Sequence, residues 1–397
     1  MKNKTVLVLV IVTLTLVVEA RAGTEKVLYA FTGGTDGGRS QGAVIVDKAG
    51  NLYGTTNSGG LYNAGTLFEL SPSNGSWNET VLYSFTGGSD GAYPMAGLTF
   101  CHGNLYGTTL EGGVGWGVVF ELVRLTKGWK QSVVYSFSAQ RDGEEPRGGL
   151  TCDAAGALYG TTYIGGIYGG GTVFKLTEMT SLSTTGIWSE TMLHSFGNTN
   201  DGMNPQGTVV LDKQGNVYGT TTGGGYGQGT VFKLTRSESD WGETIIYNFL
   251  GGSDGSFPYA GVVFDTAGNL YGTTYVGGSY GEGTVYQLTL SNSQWTEAVL
   301  YAFDAPNGGG YPYRGSLTVD GSGSLYGTTS AGDYAGTVFD LSPSNGGWTE
   351  SVLYTFSNEE DGGTPYDGVI LDTAGNLYGT TVGGGKCNEG VVFEVTP

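Results

Sequence analysis

A chain of 397 residues with 75 glycines, only 13% charged residues and a formal net charge of −19 lacks the Lys and Arg clusters through which nucleic acids and anionic membrane surfaces are bound. Its three cysteines, Cys101, Cys152 and Cys387, are too scattered for the disulfide framework of a small secreted domain, and no C-x-x-C spacing marks a zinc site. They read as small, half-buried apolar filler, with one bridge plus one free thiol as the other arithmetic. Whether Cys101 and Cys152, near equivalent points of adjacent repeats, approach each other is left open by spacing alone.

The chain begins with Lys2 and Lys4, a fourteen-residue apolar run from Thr5 to Val18, and Ala20-Arg21-Ala22. These are the three regions of a signal peptide with an A-x-A cleavage site, and the run is shorter than the roughly 20 residues of a spanning helix. Cleavage after Ala22 is expected. Residues 1–22 carry +2, so the mature chain 23–397 would carry −21. It is expected to be exported and soluble, either secreted or periplasmic, with no membrane insertion after cleavage, and monomeric.

The first mature segment, Thr24 to Phe31, is a Val/Leu/Tyr/Phe run of strand character. Beyond it the tetrapeptide Tyr-Gly-Thr-Thr recurs with its tyrosine at 53, 106, 159, 218, 271, 326 and 378, giving seven repeats of about 53 residues. The one long interval, 59 residues between Tyr159 and Tyr218, is explained by a longer stretch from Leu176 to Trp188, an insertion in a loop. Each repeat reads as four short strands. In the fifth these are Gly261 to Asp265, Asn269 to Thr274, Gly283 to Leu288 and Trp295 to Phe303, separated by Gly, Asn, Asp and Ser turns. No long segment of 3.6-residue periodicity is present.

Four short antiparallel strands per unit are the blade of a propeller, whose neighbours bury both faces of each sheet. The mature chain opens on a fourth-strand segment and its last segment, Gly390 to Val395, matches a third strand. Such an offset lets the N-terminal strand complete the last blade, whereas an open solenoid would need atypical capping repeats. The expected fold is therefore all-β: a seven-bladed β-propeller of four-stranded antiparallel blades over 23–397, closed by its first strand.

The Asn-Leu-Tyr-Gly-Thr-Thr stretch, the following Gly-Gly and the Gly-Thr-Val-Phe strand resemble the GloVer (Gloeo_Verruco) tandem repeat of bacterial exported proteins, over about Thr24 to Val395. That resemblance implies bacterial origin and export; the surface anchor of many members is not expected here after the last repeat. The Asp-x-x-Gly-Asn link between the first two strands is more loosely similar to NHL-type propeller repeats, which implies the same strand order from the channel outward and carries no catalytic residues.

By analogy with such propellers, a site belongs on the face bearing the fourth-to-first and second-to-third connections. There a carboxylate recurs before glycine, as Asp36, Asp90, Asp142, Asp201, Asp254 and Asp361, with Asn307-Gly308 in the sixth repeat. It reads as a turn cap; a calcium ion held by this ring is the weaker alternative, and otherwise no metal and no cofactor is expected. The same loops carry aromatics suited to sugar stacking or protein contact: Tyr93, Phe257, Tyr313 and Tyr366 beside loop prolines, and Tyr62, Trp116, Tyr168, Tyr226, Tyr280 and Tyr334 in the glycine-rich connections.

Catalytic inventory is thin. The only histidines are His102 and His194, no G-x-S-x-G elbow occurs, and nothing selects a carboxylate pair from so many. The expected function is a non-catalytic module binding an extracellular glycan or protein. A carbohydrate-active hydrolase or lyase on the same scaffold is the alternative, and a polar residue breaking the repeat on the loop face is what would favour it. Arg39, Arg147 and Arg314 are the visible breaks.

Overall fold

The computed structural model of the chain describes residues 23–139, 141–179, 186–198, 201–237, 240–331 and 335–397. The expected signal peptide, Tyr334 and the insertion after the strand Thr172–Glu178 at 180–185 lie outside the described residues.

Seven four-stranded antiparallel sheets form a β-propeller. Blade one comprises Ile45–Val46, Leu52–Thr56, Thr66–Ser73 and Ser76–Ser84, and the other blades repeat this order. The last sheet joins Ile370–Leu371, Leu377–Thr380 and Val391–Thr396 to the N-terminal strand Thr24–Ala30, which pairs in register from Thr24↔Thr396 to Ala30↔Val391 with one bulge. The innermost strands are shorter than their sequence suggests: in blade five only Val263–Phe264 is extended. The cause is Asp265, which ends the strand by accepting the backbone N–H groups of Ala267 and Asn269, at 2.9 and 2.8 Å, on one carboxylate oxygen.

The recurring tetrapeptide is explained one residue at a time. Its tyrosine donates to the inner-strand aspartate, as Tyr53 to Asp47 at 3.1 Å, and takes the next blade's tryptophan edge-on, with Tyr53 and Trp129 centroids 6.0 Å apart. The glycine makes room for the facing ring of the third strand: a Cβ on Gly219 would lie 2.6 Å from the Phe232 ring. The first threonine donates across the blade junction, Thr220 to Ala260 O at 2.7 Å, and the second bonds the third strand, Thr221 to Thr230 at 2.7 Å. Gly219→Ala is therefore expected to destabilise by about 1–3 kcal/mol through overpacking alone, measured by urea unfolding; a neutral result would mean that Phe232 can slide.

Junctions are closed by a second aromatic pair, in which the phenylalanine ending one blade packs on the third-strand ring of the next. Phe85 and Phe120 sit 5.2 Å apart and Phe249 and Tyr286 5.0 Å apart, all four fully buried. The disulfide Cys101–Cys152, with Cα atoms 5.8 Å apart, ties the inner strands of blades two and three, so these two cysteines are not filler; Cys387 is free and exposed.

Candidate functional site at the channel mouth

The fourth-to-first and second-to-third connections share one face of the disc, joined by bridges such as Ala92↔Glu111 and Ser256↔Val276. Of the rim aromatics, Tyr62, Trp116, Tyr168, Tyr226 and Tyr280 are 44–71% exposed on the glycine-rich connections. Tyr93, Phe257, Tyr313 and Tyr366 are half-buried instead, and Tyr93 and Phe257 take positive φ of 56° and 57° beside their prolines.

The aspartates do not converge. Each is engaged at its own blade junction: Asp90 accepts the Tyr83 hydroxyl at 2.9 Å and the Thr86 backbone N–H at 2.8 Å, and Asp36, Asp142 and Asp361 repeat this pattern with Tyr29, Tyr135 and Tyr354. Asp254 accepts from Tyr247 and from the Leu250 N–H, both at 2.6 Å. Asp201 takes His194 in place of a tyrosine, at 3.1 Å. Hydrogen bonds to the charged form hold the Asp90 and Asp361 carboxyls below their ordinary range despite partial burial.

Inside the ring, the innermost strands of all seven blades line a channel enclosing about 270 Å³, whose walls include Gly97, Gly149, Thr208, Ser316 and Asp367. Just ahead of the channel lining, three residues before the first buried aliphatic of each inner strand, the repeat reads Gln41, Met95, Arg147, Gln206, Tyr259, Arg314 and Tyr366. The sevenfold pattern fails at this position.

The structure gathers three of these side chains. Arg314 Nη2 and Arg147 Nη1 both donate to Gln206 Oε1, at 2.9 and 3.4 Å. The Arg147 guanidinium lies 3.6 Å from the Tyr163 ring centroid and pairs with Glu145 at 2.7 Å. Among the described residues no carboxylate pairs with Arg314 at ion-pair distance: it is only 9% exposed, and its Nε and Nη1 atoms are buried without a hydrogen-bond partner. Burial, and to a lesser degree the Arg147 charge, lower the Arg314 pKa, while Asp367 works in the opposite sense. The Asp367 carboxyl is itself raised by burial, although it accepts the N–H groups of Ala43 and Gly368, each at 2.8 Å.

A wall of tyrosines adjoins the guanidinium. Tyr313 packs against Tyr259, Tyr275 and Tyr366 with centroids 5.0, 5.6 and 4.8 Å apart, and Tyr275 against Tyr311 at 5.3 Å. Burial raises the phenol pKa of Tyr259 and Tyr275, so both stay neutral donors.

Arg314 enters through an insertion. From the loop proline to the first buried aliphatic the sixth repeat spans Pro312 to Leu317, one residue more than Pro258 to Val262 or Pro365 to Val369. Thr273, whose counterparts Thr55 and Thr220 donate across the junction to Ala96 and Ala260, is left without a partner there. Sequence reasoning flagged Arg147 and Arg314 as breaks but not Gln206, Tyr163, Tyr275 or Asp367. Lining the repeats up on the inner-strand aliphatic is the signal that finds Gln206.

The model of the Gloeobacter/Verrucomicrobia repeat matches residues 11–225 and 211–397. No curated protein matches the sequence. Among solved structures, a provisionally assigned 6-phosphogluconolactonase from Bacteroides uniformis is 11% identical with a TM-score of 0.53, covering 79% of this chain and 85% of that one. A provisionally assigned oxidoreductase (glucose dehydrogenase) from Thermus thermophilus is 16% identical with a TM-score of 0.44 over 94% of this chain and 100% of that one. A protein of unknown function from Dyadobacter fermentans is 11% identical with a TM-score of 0.46, covering 94% and 96%. At these identities the likeness is one of fold.

Proposed function

The chain belongs to the Gloeobacter/Verrucomicrobia repeat family, and on that premise we propose that it is an exported, non-catalytic propeller that binds an acidic glycan at the mouth of its channel. The observation that carries this reading is the Arg314 guanidinium, nine-tenths buried with two unpartnered donor atoms. A buried cation with free N–H groups is costly unless an anion completes it, and the planar fork of arginine matches a carboxylate through two parallel bonds. The adjoining tyrosine wall supplies the flat apolar faces on which pyranose rings stack. A uronate residue joins those two chemistries in one monomer.

The enzyme alternative draws on Asp367, a carboxyl raised by burial within the channel. Binding fits the tyrosines better, because a catalytic phenol base needs a lowered pKa and burial moves Tyr259 and Tyr275 the other way. Export fits the leader-like residues 1–22, and no helix among the described residues is long and apolar enough to cross a membrane.

The test is titration of the mature chain with uronate oligosaccharides and with neutral glycans, with reducing ends assayed afterwards. Arg314→Met, which borrows Met95 from blade two, is expected to weaken uronate binding about tenfold or more, the weight of one charged hydrogen bond. Arg147→Met should weaken it less, since that guanidinium already has Glu145. Equal affinity for neutral glycans, or unaltered binding by Arg314→Met, would remove the acidic-glycan reading. Turnover would establish the enzyme instead, and binding only to proteins would move the partner class.

A further inference from the structure

The junction between blades three and four carries a histidine where the other six carry a tyrosine. Two positions before the buried phenylalanine that closes each blade stands a tyrosine, at 29, 83, 135, 247, 301 and 354; in blade three it is His194. Around this position the ordinary junction already brings two carboxyl groups near each other. Asp36 sits close enough to Glu79 to shift its titration, and Asp142 does the same to Glu190. At those junctions a phenol completes the group, and a phenol is a poor ligand for a divalent ion at neutral pH. Replacing it with imidazole turns a structural contact into a donor set of one nitrogen and two carboxylate oxygens.

We propose that His194, Asp201 and Glu243 bind one divalent transition-metal ion, of which zinc is the representative. Each offers one ligand atom, and the three atoms lie within 4.8 Å of one another. Ligand atoms bonded at about 2.0–2.2 Å around one tetrahedral ion stand about 3.3–3.6 Å apart, so the wider pairs of this group close in by side-chain rotation when an ion binds. Three different segments deliver them: the outer strand Trp188–Ser195 of blade three, the connection to blade four, and the outer strand Trp241–Asn248 of blade four. The ion would thus bridge two blades.

The ordinary contacts of the repeat hold those ligands in place. The imidazole is held edge-on against Phe196 with centroids 4.6 Å apart, which fixes the ring and leaves Nε2 facing Asp201. Asp201 is 8% exposed, and its other carboxylate oxygen accepts the Gly202 N–H at 2.7 Å, so one oxygen is oriented and the second is directed at the histidine. Glu243 Oε1 is buried with no hydrogen-bond partner, as are those of its counterparts Glu25, Glu79, Glu190, Glu297 and Glu350, so it is the histidine that makes this junction different. Two carboxylates packed this closely gain more from a shared dication than from an imidazole alone. One cavity of about 430 Å³ opens on the group, bordered by Tyr168, Asp240 and Trp241. It gives an ion a way in and leaves room for water at a fourth position. Among the described residues no other group of three His, Cys, Asp or Glu side chains meets in this way. The site stands apart from the channel mouth and does not depend on how that region is read.

The molecule supplies its own controls. His194→Tyr restores the residue of the other six blades, and Glu243→Gln installs the residue that blade two has as Gln131, so both variants are built from parts this fold already accommodates. Chelator-stripped mature protein is titrated with zinc chloride alone at pH 7 by calorimetry, in a Cys387→Ser background that removes the exposed thiol. The expected result is saturable uptake of one equivalent with a rise in the thermal midpoint, the apparent affinity reduced at least tenfold by either substitution, while metal-free His194→Tyr melts like its parent. Failure of the parent protein to take up a stoichiometric ion overturns the proposal. So does undiminished uptake by both variants, which would locate zinc elsewhere.

Discussion

Deleting residues 24–31 from the mature chain is expected to lower its thermal midpoint by about 10 °C or more, the largest effect of any short truncation in the molecule. The segment fills the place of an ordinary outer strand. It supplies Leu28 and Phe31, both buried, and covers Val391, Val392, Phe393 and Val395, none of which has any exposed surface. Phe31 meets Phe68 of blade one at 5.2 Å, the same edge-on contact as Phe137 with Phe174 at 5.1 Å between blades two and three. Two further bonds of the repeat cross the same seam: Trp77 on Tyr378 with centroids 6.5 Å apart, and Thr380 to Gly42 O at 3.0 Å. The closing junction therefore uses the same chemistry as the internal ones and differs only in being made by the two ends of the chain.

A sharper form of the same expectation compares single residues. Phe31→Ala and Phe137→Ala each remove one fully buried ring from a junction and should each cost about 3–5 kcal/mol in urea unfolding. Equality would mean that closure is as strong as an internal junction. If Phe31→Ala and the deletion both leave melting unchanged, the propeller is not held together through its first strand.

The architecture was legible because each repeat spends the same residues on the same contacts. Tyr-Gly-Thr-Thr names the second strand wherever it occurs, and the offset between Thr24 and Val395 gives the frame of closure. The site was legible only in part, since tyrosines beside glycine and proline look alike in sequence. Tyr226 is 71% exposed while Tyr313 is wedged among three other rings, and the difference comes from neighbours contributed by the adjacent blades. Asp201 reads with its five counterparts as a turn residue, and only its spatial neighbour His194, in place of a tyrosine, sets it apart. Single departures from the repeat, a histidine for a tyrosine or one extra residue before Leu317, are the places where a repeat sequence carries local information.

The second large effect is a dependence of stability on pH that runs against the usual expectation for a folded protein. Glu25, Glu79, Glu190, Glu297 and Glu350 occupy equivalent places on the outer strands, each half-buried, and burial with a nearby aspartate raises each carboxyl to about 7. An acid whose folded pKa lies above its ordinary 4.5 stabilises the fold fully below that ordinary value, and the contribution is lost as pH rises through 7. The inner-strand aspartates act oppositely: Asp47, Asp212, Asp265, Asp320 and Asp372 are held low by their turn hydrogen bonds, and their contribution is lost only as pH falls below about 4. The two sets leave a stability maximum near pH 4–5. With screening at half-exposed sites holding each glutamate to about 1 kcal/mol, the midpoint should fall by roughly 5–10 °C between pH 5 and pH 8. Net negative charge also grows over that range and would weaken the fold without any special carboxyl. Substitution separates the two causes. Glu79→Gln, patterned on Gln131, removes one titration and one charge together, so it should raise the midpoint at pH 8 and leave it nearly unchanged at pH 5. An exposed control such as Glu360→Gln removes the same charge without the burial, and an equal response from both variants would assign the slope to net charge alone.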